Sequence, residues 1–343
     1  MYSGRLDAPV SRRSLSEGRP MAGPLNGKLV TVFGGSGFVG RHAVRALAKA
    51  GWRVRVAVRR PDLAGFLQPL GSVGQIQAVQ ANLRYRWSIE KAVEDADAVV
   101  NLVGILAPSG RQSFEAVQAF GARAVAEAAK AAGVRSLTHL SAIGADPASP
   151  ALYARTKAEG EAGVFSAVPE AVVLRPSIVF GPEDEFFNRF AKMAQISPVL
   201  PVIGPDTRFQ PVFVGDVAAA ILAAVEGRAQ PGTVYELGGP EVLTFRRCLE
   251  ILLEEIYRKR PIVPVPFWAA KLQARVLQML PGAPLTVDQV LMLQRDNVVS
   301  AAAEGEGRTL EGLGIRPTGL SAILPTYLAQ YRVQGQFADR RSA

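Results

Sequence analysis

The sequence predicts an α/β fold, a doubly wound parallel sheet with a smaller mixed α/β lobe at its C-terminal end. Three observations predict it. From residue 28 to about 175, short β-branched runs alternate with alanine-rich stretches of helical period, the pattern of βαβ units around a buried parallel sheet. After Pro176 prolines and glycines become frequent and the alternation stops, which marks a second lobe. The chain has 343 residues and 48% hydrophobic content, enough to bury a large core.

Strands are expected at 29–33, 53–58, 75–80, 98–103, 136–140 and 171–174, and helices at 39–50, 88–95, 114–131 and 151–163, each with apolar or alanine positions at helical spacing. Right-handed crossovers then wind the sheet in both directions from its centre. The first domain is expected over 27–175 and the second lobe over 176–330, with 331–343 as a tail. The stretch 211–225 is a candidate to return to the first domain and make the second lobe discontinuous. Residues 1–26 carry arginines, serines and prolines without periodic apolar positions, and read as a disordered arm. Met21 offers an alternative start just before the fold, while Asp7 and Glu17 weaken a transit-peptide reading.

Composition removes several function classes. Cys248 is the single cysteine, so no intramolecular disulfide forms and a reducing compartment is expected. His42 and His139, the two histidines, have no partner at metal-ligand spacing. The net charge of +9 is spread along the chain rather than gathered into a basic helix or aromatic-studded strand. That distribution speaks against nucleic acid and suits an anionic cofactor or an anionic membrane surface. No apolar run reaches the roughly 20 residues that span a bilayer, so a soluble or peripheral protein is expected.

The strongest motif is Gly34-Gly35-Ser36-Gly37-Phe38-Val39-Gly40, a GxxGxxG spacing between a hydrophobic strand and a helix start. Glycines there allow a tight turn and let backbone amides approach a pyrophosphate, whose charge the positive helix end favours. Strand, turn and helix together predict a Rossmann-type dinucleotide site. The expected second strand ends in Arg59-Arg60, where NAD-preferring sites carry an acid that holds the ribose hydroxyls. A guanidinium fork matches a 2'-phosphate, so NADPH is expected over NAD. Asn82 and Leu83, after the third strand, are candidates to face the adenine, with an ordinary loop as the alternative.

Tyr153-Ala154-Arg155-Thr156-Lys157 places a phenol and an ammonium at i and i+4 on one helix face. In that geometry the lysine can hold the nicotinamide ribose and lower the phenol pKa, and the tyrosine can move a proton during hydride transfer.

Together with Asn101-Leu102-Val103-Gly104 and Leu174-Arg175-Pro176-Ser177-Ile178-Val179-Phe180-Gly181-Pro182, these motifs resemble the extended short-chain dehydrogenase superfamily over nearly all of 27–325. The resemblance implies a cofactor bed at Leu102, Val103 and Gly104, Tyr153 and Lys157 in the catalytic and ribose-binding positions, and Pro176 and Ser177 near the nicotinamide. One departure matters. The superfamily places a Ser or Thr just beyond the fifth strand to support the substrate oxygen, and that place falls near Ile143; Ser141 serves there only if the loop is shifted.

A narrower resemblance rests on Pro182-Glu183-Asp184-Glu185-Phe186-Phe187-Asn188-Arg189-Phe190-Ala191 and Gln210-Pro211-Val212-Phe213-Val214-Gly215-Asp216-Val217. These stretches are similar to the NAD(P)H-binding accessory subunits of respiratory complex I and their bacterial relatives. That resemblance implies a structural nucleotide, complex I subunits as partners, and a place at the cytoplasmic or mitochondrial matrix face of the membrane. The alternative is an active NADP-dependent reductase or epimerase for a sugar nucleotide, isoprenoid or quinone-like substrate; a third reading is a nucleotide-sensing regulator. Residues 186–191 are expected to form a docking surface and Asp216 to cap or pin a helix start. The segment 266–277 mixes aromatic, aliphatic and basic residues at helical spacing, and reads either as a membrane- or partner-facing helix or as an ordinary amphipathic helix.

Overall fold

Seven strands make one fully parallel sheet: β1 (Leu29–Phe33), β2 (Arg53–Val58), β3 (Ile76–Gln80), β4 (Ala98–Asn101), β5 (Ser136–Leu140), β6 (Val172–Pro176) and, after short strands β7 (Val179–Phe180), β8 (Leu200–Ile203), β9 (Arg208–Phe209) and β10 (Val212–Phe213), β11 (Val234–Leu237). Their order across the sheet is β11-β6-β5-β4-β1-β2-β3. The computed structural model describes residues 26–108, 110, 112–279 and 285–333; the expected arm up to residue 25, Met21 included, and the tail from 334 lie outside them.

Strand alternation sorts the side chains onto two faces. On one, Val30, Val32, Val54, Val56 and Val100 pack against Val44 and Leu47 of α1 (Phe38–Lys49). On the other, Phe33, Val99 and Leu137 pack under α2 (Arg86–Val93), α3 (Phe120–Ala131) and α4 (Leu152–Ala167). The small alanines of α3, such as Ala122 and Ala126, are fully buried and let that helix approach the strands closely.

The second half of the chain adds to both lobes. Following α5 (Phe187–Ile196), helix α6 (Val214–Val225) inserts Val217, Ala220 and Ile221 into the same core as α1, and β11 extends the sheet beside β6. The sequence reading contains no strand there: Val234–Leu237 is four residues long and separated from β6 by β7 to β10, α5 and α6. That lobe contains β12 (Leu243–Thr244), α7 (Phe245–Glu255), β13 (Ile262–Val265), α8 (Phe267–Leu277), α9 (Val287–Met292), α10 (Ala301–Gly305) and α11 (Leu320–Leu328). Its own core joins Phe180, Phe187, Leu252 and Leu324. Packing continues through Tyr331, which is buried, past residue 330 where the sequence reading ended the lobe. No helix among the described residues is long and apolar enough to cross a membrane.

Two local departures bear on the site. The strand expected to run to Val103 stops at Asn101, whose side chain accepts from the Val103 amide and turns the chain out of the sheet. The helix expected from 114 opens with a π-helical turn, Glu115–Ala119, before α3.

Candidate dinucleotide site

Strands β1 and β4 lie side by side at the centre of the sheet, where the strand order reverses, and the crevice beyond their C-terminal ends is where such sheets bind ligands. The glycine turn fills one side of it. Gly34 has φ +77, and an added Cβ would press on Leu102 and Val103 at 3.3 Å, so the turn and the loop after β4 lie against each other. A Cβ on Gly40 would fall 2.3 Å from the Gly34 carbonyl oxygen, which explains the third glycine: α1 starts directly on the turn. Ser36 lies within the turn and Gly37 is the N-cap of α1, with no side-chain cap and no acid in the first turn. The Phe38, Val39 and Gly40 amides therefore end the helix without a capping side chain, which fits an anionic pyrophosphate.

On the other side of the crevice stands the Tyr153–Lys157 face of α4. Lys157 Nζ donates to the Leu140 carbonyl at 3.2 Å, and a Cβ on Gly104 would sit 3.4 Å from Nζ. Burial lowers Lys157 to about 8, partly opposed by the Glu161 carboxylate. Nζ is 5.9 Å from the centre of the Tyr153 ring, which packs edge-on against Phe114. Tyr153 departs from expectation: its phenol is pushed up to about 12, first by burial and then by the charge of Asp288. Asp288 accepts from the amides of Leu152 (2.5 Å) and Tyr153 (3.0 Å), capping α4 from the second lobe where Ala151 offers no side-chain cap.

The end of β5 holds unpartnered polar groups. Ser141 Oγ and both ring nitrogens of His139 are buried without a protein hydrogen bond, and burial, reinforced by the Lys157 charge, lowers His139 to about 3. His139 is thus neutral at physiological pH. An orphaned hydroxyl beyond a strand end, one residue on from the carbonyl that holds a buried ammonium, fits a nucleotide in this crevice. Ile143 is buried against Val299 and Ala303, so its side chain belongs to a small apolar cluster. Ser141 forms no hydrogen bond with Tyr153.

Several expected contacts are engaged elsewhere. Arg60 grips Asp62 at 2.8 Å beyond the end of β2, while Arg59 is exposed beside it. Asn82 accepts from the Arg84 amide as a local turn, and Leu83 packs under α3 against Gly121. Ser177, next to Pro176 at the end of β6, gives its hydroxyl to Asn297 at 2.8 Å. Asp216 pins α6 by accepting from the Thr318 amide and hydroxyl, at 2.7 and 3.0 Å.

Two groups escaped the sequence reading. Gln118, in the π turn, donates to the Ile105 carbonyl and accepts from Thr156, tying the loop beyond Gly104 to the helix of Tyr153 and Lys157. Gly160, one turn on, leaves room for the Gln118 carbonyl, which a Cβ would meet at 2.2 Å. The other is the Asp184 network. Asp184 accepts from the amides of Gly181, Phe186 and Asn188 and from the Tyr327 hydroxyl, and Asn188 accepts from Tyr331. Residues 186–191 therefore brace the second lobe from inside, with Phe187, Asn188 and Ala191 buried, and the expected docking surface is corrected.

Comparison with known proteins agrees with this geometry. The chain is 35% identical over 324 residues to the "NADH dehydrogenase [ubiquinone] 1 alpha subcomplex subunit 9, mitochondrial" of Arabidopsis thaliana, covering 91% of this chain and 80% of that protein. It is 36% identical over 195 residues to the ceramide reductase of Caulobacter vibrioides, covering 57% and 60%. The NADPH-dependent quinone oxidoreductase of Escherichia coli, solved with NADPH, shares the fold at 20% identity and a TM-score of 0.68, over 85% of this chain and 97% of that one. Residues 30–238 match the NAD dependent epimerase/dehydratase family, and the chain belongs to that family, with its NAD(P)-binding Rossmann fold.

Proposed function

We propose that this protein is an NADPH-holding accessory or assembly subunit of respiratory complex I, in which the nucleotide is a structural ligand. The observation that carries the reading is the division within the site. Residues suited to holding a nucleotide are in place: an uncapped α1 N-terminus, Gly104 against Lys157, and Lys157 fixed by Leu140. The resemblance puts the substrate-supporting hydroxyl near Ile143, and that side chain is buried in an apolar cluster with Val299 and Ala303. The likeness over most of both chains to the Arabidopsis subunit supports the same partner.

In this reading the α1 amides hold the pyrophosphate, Lys157 holds the nicotinamide ribose, and Arg59 with Arg60 receives the 2'-phosphate once Arg60 releases Asp62. Bound NADPH would supply a hydride donor. The Tyr153 phenol, held neutral by burial and by Asp288, keeps its proton at physiological pH.

A second reading is an active NADP-dependent reductase, favoured by the retained Tyr153–Lys157 pair and the likeness to a ceramide reductase. One experiment separates the two. Purified protein is assayed for bound nucleotide, then for NADPH oxidation with ceramide-precursor ketones, quinones and sugar nucleotides. NADPH that co-purifies and stays unconsumed supports the subunit; turnover lost in Tyr153→Phe establishes the enzyme.

A further inference from the structure

Helix α8 is attached to the protein by its small side. Ala270 and Ala274 are fully buried against Val290 of α9, whereas Trp268, Leu272, Val276 and the following Met279 are 73%, 59%, 65% and 83% exposed. At about 100° per residue the four outward side chains form a stripe roughly 80° wide, directly opposite the two alanines. Exposed Arg275 and half-buried Lys271 flank one edge of that stripe.

Charge decides what covers it. From residue 256 to 287 the chain has five basic residues, Arg258, Lys259, Arg260, Lys271 and Arg275, and no acidic one. None of the five forms an ion pair among the described residues; Arg258 and Arg260 donate to the carbonyls of Tyr331 and Ala194. The strand leading into α8 also exposes Val263. An apolar stripe headed by a tryptophan and edged by unpaired cations is the chemistry of a helix lying in a membrane interface.

We propose that α8 docks the protein on an anionic phospholipid bilayer, with Trp268, Leu272, Val276 and Met279 entering the headgroup boundary and Lys271 and Arg275 facing lipid phosphates. The docking requires neither nucleotide nor a complex I partner, so its failure and the failure of the proposed function are separable.

The test is sedimentation of the full-length protein with vesicles of phosphatidylcholine, with and without phosphatidylglycerol. Binding is expected on anionic vesicles, weakening with salt. Lys271→Gln and Arg275→Gln should each weaken it about fivefold. Leu272→Gln with Val276→Gln should weaken it at least about tenfold. Leu272, Arg275 and Val276 are exposed and Lys271 is half-buried without an ion pair among the described residues, so the melting temperature should stay near that of wild type; if the apolar pair misfolds, the two charge variants carry the test. Absence of binding to anionic vesicles at low salt, or binding indifferent to all the variants, overturns the proposal. So does self-association, seen by size-exclusion chromatography without vesicle binding and abolished by Leu272→Gln, which would assign the stripe to a second copy of the chain.

Discussion

Lys157 donates to the carbonyl of Leu140 at 3.2 Å, and this bond fixes the ammonium at the end of β5 while burial holds it at about 8. An unfolded lysine titrates near 10.5, so between about 8 and 10.5 the unfolded chain binds more protons than the folded one. Stability without nucleotide should therefore rise with pH across that window, by up to about 3 kcal/mol from this group. Nucleotide binding should run the other way, because the charged ammonium is the form that holds a ribose and a phosphate-bearing ligand. NADPH affinity is expected to fall as pH rises through about 8. Lys157→Met should flatten both profiles, measured by urea unfolding and calorimetry; a wild-type affinity constant from pH 7 to 9 would remove Lys157 from the nucleotide site.

Asp288 and Tyr153 give a second outcome. The carboxylate caps the two amides at the start of α4 and adds its charge to the burial that raises the phenol. Asp288→Ala should cost about 1–2 kcal/mol in urea unfolding, the worth of a lost helix cap. It should also lower the Tyr153 titration midpoint, followed by NMR of labelled tyrosine. A phenol midpoint unchanged in the variant would place the whole upward shift in burial.

Much of the first domain was legible because its causes are local. Strands β1 and β2 follow from β-branched runs, and the glycine turn from spacing alone. What the sequence hid is non-local. Strand β11 joins the sheet after an excursion through β7 to β10, α5 and α6, and Asp288 caps a helix that begins 136 residues earlier. Gln118 is unremarkable as a letter, and gains meaning from the π turn that aims it at Ile105. Asp184 carries no local sign of its role, because Tyr327, whose hydroxyl it accepts from in the core, lies 143 residues away.

Arg59 and Arg60 test the cofactor preference. Arg60 is held by Asp62 across an exposed pair, which contributes little and yields readily to a phosphate. Replacing both arginines with Ala should weaken NADPH binding about 10- to 100-fold, as charged hydrogen bonds of about 1.5–3 kcal/mol imply, while NADH changes little. Equal losses for the two nucleotides in calorimetry would remove the 2'-phosphate assignment.

Asp184 should act on stability alone. Its carboxylate accepts four hydrogen bonds in a buried place, although burial itself raises its pKa. Asp184→Ala leaves the Gly181, Phe186 and Asn188 amides and the Tyr327 hydroxyl without their acceptor, and is expected to cost about 3 kcal/mol or more. Chemical denaturation measures it directly. A fully stable variant that had lost its partner instead would restore the docking reading of 186–191.

The last outcome joins nucleotide to partner, and it turns on Gly37. This residue is the exposed N-cap of α1 with φ −73, an ordinary value for any side chain, and an added Cβ meets only the Gly34 carbonyl, at 3.3 Å. Gly37→Asp therefore places a carboxylate where a pyrophosphate would bind, yet asparagine-like capping of the free α1 amides keeps the apo-fold intact. The variant separates loss of nucleotide from loss of fold. A ligand present at a thousandfold over its Kd stabilises the folded state by about 4 kcal/mol, so without it the protein should be visibly less heat-resistant in cells even though the purified apo-forms melt alike. If complex I depends on the nucleotide-bound form, deleting the gene should lower assembled complex I on native gels and NADH oxidation with a quinone acceptor in membranes, and Gly37→Asp should reproduce both. Normal complex I in the deletion strain would end the subunit reading. A loss in the deletion that Gly37→Asp restores would keep the subunit and show that its nucleotide is dispensable for assembly.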